Sequence, residues 1–112
     1  MKQPRQAAAA IYGITWLNRE EWQKMRAVAA DPYTLMPTYE DWVLMTGRAV
    51  KDMEQSGKHV KKVPVSADDF AAWCAGSGRY ADSAARSEYV SFIMATERAL
   101  RQTRKQRKTD DE

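Results

Sequence analysis

"DDFAAWCAGSGRYADSAARSEYV", residues 68–90, holds the chain's single cysteine, Cys74, and a run from Gly76 to Ala81 with the form G-x-G-x-x-G/A. Two folds compete for this stretch. In a dinucleotide-binding domain a strand delivers the glycines, and the helix after them points its N-terminus at a pyrophosphate. In the other reading one helix stops at the glycines and a second begins beyond them. Phe70, Trp73 and Cys74 stand at i, i+3 and i+4, the spacing of a helix face. Ser66 offers an N-cap, and Asp68 and Asp69 put negative charge in the first turn, where the helix dipole favours it. A helix therefore precedes the glycines, and no parallel strand follows the next helix. Glu97 lies near the distance of a ribose ligand but falls mid-helix. The stretch reads as helix, turn, helix, with Gly76 and Gly78 supplying positive φ. The last helix starts at Asp82 or Ser83 and turns Ala85, Tyr89, Phe92, Ile93, Thr96 and Leu100 inward.

Outward from there the pattern is regular. "IYGITWL" alternates, with Tyr12, Ile14 and Trp16 on one face, and reads as a strand. Asn18, with Glu21 three residues on, resembles a capping box and opens a helix that presents Trp22, Met25, Val28 and Ala29. Asp31-Pro32 ends it. After the loop "PYTLMP", Thr38 and Asp41 open a helix carrying Tyr39, Trp42, Met45, Ala49, Val50 and Met53 inward, with Gly57 at its C′ position. "HVKKVPV" is a second strand, and Pro64 confines it to a sheet edge or a strand end. The order is β-α-α-β-α-α, an α+β class. The halves echo each other: Leu17–Trp22 aligns with Val65–Phe70, and Trp42–Val50 with Phe92–Leu100. A duplication of this kind would relate the strands by a pseudo-twofold axis. The expected sheet is thus two-stranded and antiparallel, covered by four helices because two strands are marginal alone.

One domain of 112 residues, with 44% hydrophobic and 29% charged residues, can bury a core without disulfides or metal. One cysteine forms no internal bridge, and one histidine, His59, far from Cys74 in sequence, does not complete a zinc site. The N-terminal stretch has Lys2 and Arg5 before a weak apolar run, but Gly13 dilutes it, Trp16 is bulky and no A-x-A site follows. It reads as neither a signal peptide nor a membrane span, and the expected location is the cytoplasm. Charge is unevenly placed. Residues 11–100 carry 11 Lys/Arg against 12 Asp/Glu, so the +3 belongs to the ends. The expected layout is a flexible leader at 1–10, a domain at 11–100 and a charged flexible tail at 101–112.

Candidate chemistry is sparse. Cys74 sits near the C-terminal end of its helix, where the dipole disfavours a thiolate, and it shares a face with aromatics. Arg79 or Arg86 folding back would make a thiol or anion site of Cys74, Arg79 and Arg86. The carboxylate pairs Glu20/Glu21, Glu40/Asp41 and Asp68/Asp69 all fall in first turns, which capping explains. No catalytic residue, metal or cofactor is assigned. Trp16, Trp22, Trp42 and Trp73 follow inner-face periods and read as core. Lys58, Lys61 and Lys62 form one basic group, and Arg101, Arg104, Lys105, Arg107 and Lys108 a second. Lysines guard edge strands against pairing, and basic arms bind phosphates; both readings stand. No recognition helix, zinc finger or aromatic RNA-binding strand is present.

The succession of strand, "REEW", "YEDW", "VPVSADDFAAWC" and "ARSEYV" resembles small bacterial proteins over about residues 14–94. They have no activity to carry over, so the likeness implies a bacterial cytosolic domain. The leading expectation is a non-catalytic module that binds a protein partner or itself, with no membrane contact. The alternative is a nucleic-acid accessory protein using both basic groups. A third is a small enzyme with a cleft near Cys74.

Overall fold

The computed structural model describes the backbone of residues 10–110 and the side chains through Arg104. Residues 1–9 of the expected 1–10 leader, and the closing Asp111 and Glu112, lie outside the described residues. The elements in order are β1 (Ile11–Trp16), α1 (Arg19–Val28), a single 3-10 turn (Pro32–Leu35), α2 (Tyr39–Gln55), β2 (His59–Pro64), α3 (Ala67–Ser77) and α4 (Ser83–Asp110). The described residues form an α+β fold of two strands and four helices.

Local chemistry places the helix starts. The Asn18, Thr38 and Ser66 side chains accept from the amides of Glu21, Asp41 and Asp69 at 2.8, 3.1 and 3.2 Å. Asp82 accepts from the amide of Ala85 at 2.9 Å and opens α4. Each bond satisfies an amide that a helix leaves without a partner. Glu21 does not close a box on Asn18. Its carboxylate crosses to α3 and accepts from the amide of Ala67 at 2.8 Å. Helix ends follow glycine at Gly57 (φ 91°) and Gly78 (φ 67°). Gly76 is helical, so the turn needs one left-handed residue, not two.

The strands are parallel, which overturns the antiparallel expectation. Ile11 faces His59 and Trp16 faces Pro64, so each β1 residue meets the one 48 positions later. That offset is the same as in the echo between Leu17–Trp22 and Val65–Phe70. Equivalent segments sit side by side as neighbouring strands rather than turned about a twofold axis. The connection explains the direction. Parallel neighbours need a long crossover, and α2 supplies it by running back along β2. Helix α1, only 10 residues long, packs mainly against α3 and does not reverse the chain a second time.

The sheet is sandwiched. On the even face Trp16 meets Trp42 of α2, with ring centroids 5.3 Å apart. On the odd face α4 lies close over Gly13. A Cβ there would collide with Met94 Sδ and stand 2.6 Å from Val90 Cγ1. A glycine inside a strand commonly marks such an approach. Leu17, Met25, Val63, Phe70 and Val90 form the driest part of the core.

Two inner stripes differ from expectation. In α2 the buried residues are Trp42, Thr46 and Val50, while Met45 and Ala49 turn toward solvent. In α4 the buried positions are Ala85, Arg86, Tyr89 and Val90, followed by the half-buried Ile93, Met94 and Glu97. Phe92, Thr96 and Leu100 are exposed. Helix α4 also continues past Leu100 without a break, for 28 residues or about 42 Å.

Candidate interaction site

A strand's amide and carbonyl at one residue point to the same side and alternate along the chain. The Trp16 carbonyl accepts from the amide of Val65, beside β2, at 3.2 Å. Tyr12, Ile14 and Trp16 therefore direct their backbone groups to β2. Ile11, Gly13 and Thr15 direct theirs to the outer edge. That edge opens into a cleft of about 290 Å³ lined by Gly13, Ile14 and Thr15. Trp42, Met45, Thr46 and Ala49 of α2 form one wall. The start of α4 and the 3-10 turn form the other, through Arg86, Thr34 and Leu35.

The second wall is held by a polar network. Arg86 is 7% exposed and donates to Asp31 at 3.2 Å and to the Thr34 hydroxyl at 2.8 Å. Asp31 also accepts from the amide of Ser83 at 2.8 Å, and Ala30 donates to the Ala81 carbonyl at 2.8 Å. Trp22 Nε1 and Arg26 Nε donate to the carbonyls of Leu35 and Met36 at 2.8 and 2.9 Å. These bonds fix the turn against α4 and α1, so the cleft is preformed rather than assembled on demand.

Arg86 commits its guanidinium to Asp31 and Thr34, and the cleft it lines includes neither Cys74 nor Arg79. Cys74 is 3% exposed. Burial pushes its thiol above the ordinary value, against smaller opposing pulls from Arg79 and Arg86. Its Sγ points at the Tyr80 carbonyl, 3.9 Å away. Arg79 makes a two-point pair with Glu88, which holds that carboxyl below the usual range, and stands over Trp73. This is a packed thiol and a surface ion pair.

No family model, curated protein or solved structure matches this chain. The site is therefore read from its own atoms.

One member of each basic group meets the other. Lys61 of β2 and Arg101 of α4 line one cleft of about 340 Å³, together with Glu97 and Arg98. The Lys61 ammonium lies 3.3 Å from the Glu97 carboxylate. Lys58 and Lys62 stand over the rings of Tyr12 and Trp16, 5.7 and 4.4 Å from their centroids. Arg104 is exposed on α4. The side chains of Lys105, Arg107 and Lys108 lie outside the described residues. Among the described residues no group of three or more His, Cys, Asp and Glu side chains is placed to hold a metal. None of the described helices is long and apolar enough to cross a membrane.

Sequence reasoning singled out Arg86 beside Cys74 and Arg79 and passed over Gly13, Thr15, Asp31 and Thr46. A signal existed for Gly13, since glycine in a strand points to a close backbone approach. None existed for the pairing of Asp31 with Arg86, which are 55 residues apart.

Proposed function

We propose that this chain is a non-catalytic protein-interaction module, acting in the bacterial cytoplasm, that takes an extended segment of a partner as a third strand along β1. The outward backbone groups of Gly13 and Thr15 in a preformed cleft support this reading. Strand addition needs a row of free amides and carbonyls, with side pockets that read alternate residues. Here α2 supplies an apolar wall and Thr34, Ser83 and Ser87 supply hydroxyls opposite. The edge is uncharged, IYGITW throughout, so it lacks the usual guard against pairing. An uncharged, extended peptide fits the slot, and its affinity comes chiefly from main-chain bonds.

The test is hydrogen exchange on the full chain, alone and with a partner purified on it. Protection of the Gly13 and Thr15 amides is expected on binding, because they gain acceptors. Tyr12 and Ile14, already bonded to β2, should change little. A Thr15→Pro variant removes one outward donor and should weaken binding at least tenfold. A partner that binds with Gly13 and Thr15 exchanging as before would overturn the reading. Sedimentation of the chain alone distinguishes a second copy from a foreign partner.

A further inference from the structure

We infer that the corner between the start of β2 and the exposed half of α4 is a second, independent binding site, one for the phosphate backbone of nucleic acid. Cations far apart in sequence meet there: Lys61 of the strand lines one cleft with Arg98 and Arg101 of the helix, while Lys58 and Lys62 lie on the opposite face of the sheet, over Tyr12 and Trp16. The helix brings Arg98, Arg101 and Arg104, successive turns along one side. Glu97 is the acidic member, and it is engaged by Lys61 at 3.3 Å. Arg98, Arg101 and Arg104 pair with no carboxylate among the described residues.

The arrangement fits a polymer better than a single anion. Arg98 to Arg104 spans about 9 Å of helix, with Lys61 alongside. Charges strung along a helix match phosphates repeated along a chain, whereas one small anion needs a closed cradle. The helix makes this possible by its continuity. The face that packs on the sheet through Val90 and Met94 carries on, one turn later, as Glu97, Arg98 and Arg101. The site therefore includes the folded body and is not a property of the tail alone. Nothing in the corner presents a set of donors fixed to base edges, so binding is sequence-tolerant.

The experiment is fluorescence anisotropy of the full chain with a labelled 20-nucleotide RNA and a 20-base-pair DNA, across 50 to 200 mM salt. With about four phosphates engaged, affinity should fall about a hundredfold over that range. The double variant Arg98→Ala/Arg101→Ala should bind more weakly at every salt and lower the slope of log K against log salt by about two. Arg98→Lys/Arg101→Lys should restore most of the slope, because a phosphate contact needs the charge. Circular dichroism checks that the helix is intact. Absence of binding at 50 mM salt overturns the inference, as does a double variant with unchanged slope. So does binding to phosphatidylserine vesicles without binding to either nucleic acid. The strand-addition variant Thr15→Pro leaves this site untouched, so each proposal fails on its own readout.

Discussion

β1 and β2 are paired residue for residue and equally long, yet they are built for opposite neighbours. β2 carries His59, Lys61 and Lys62 and ends at Pro64. Its outward positions, by the same alternation that orients β1, are Val60, Lys62 and Pro64. Proline there removes a donor that no ladder bond would use, and lysine makes edge pairing costly. β1 has neither device, and a glycine sits at its centre. The facing pair Gly13 and Lys61 condenses the contrast. One admits a helix to the sheet, and the other reaches past the sheet to Glu97. Hydrogen bonding makes the strands a unit, but side chains decide what each free edge meets.

The sharpest test exchanges the roles of that pair. Gly13→Ala drives a methyl into Met94 and Val90, and overpacking of this kind costs about 1–3 kcal/mol. Lys61→Ala removes an exposed ion pair worth at most about 1 kcal/mol. Urea denaturation of both should show a large loss for the first and a small one for the second. Equal losses would mean that α4 can shift off β1 and that the close approach is not essential. The helices that succeed the two strands differ as well. α1 is capped by Asn18 alone, whereas α3 has Ser66 and also Glu21, reaching across from α1. Glu21→Ala should cost about 1 kcal/mol and raise amide exchange at Ala67, which a purely local cap would not predict. The smallest effect is on the guarded edge. Lys62→Thr should leave stability within about 0.5 kcal/mol but introduce concentration-dependent association in sedimentation. If the variant stays monomeric, Pro64 alone guards β2.

Much of the local structure is legible in the sequence. Asn18, Thr38 and Ser66 each cap the helix assigned to them, because capping is chemistry within three residues. Gly57 and Gly78 end helices for the same kind of reason. Strand direction is a different matter. It depends on whether α1 reverses the chain or steps aside, and that is decided by packing against α3, a segment far along the chain. The inner stripe of α4 slips for a related cause. Arg86 falls outside any apolar stripe, and it is buried because Asp31 pairs with it; the buried face then runs through Arg86, Val90 and Met94, leaving Phe92 and Leu100 outside. The interaction cleft was hidden for the sum of these reasons, since its walls come from α2, the 3-10 turn and α4.

The parallel crossover has a consequence in time. β1 has no strand to join until residues 48 positions further along the chain exist. Long-range pairing of this sort must meet its loop-closure cost before any contact rewards it, which slows folding. While the chain is being made, β1 is an uncharged strand with both sides open, and only one of them will ever be covered by β2. The edge proposed as a docking slot is thus the segment most exposed to wrong partners on the ribosome.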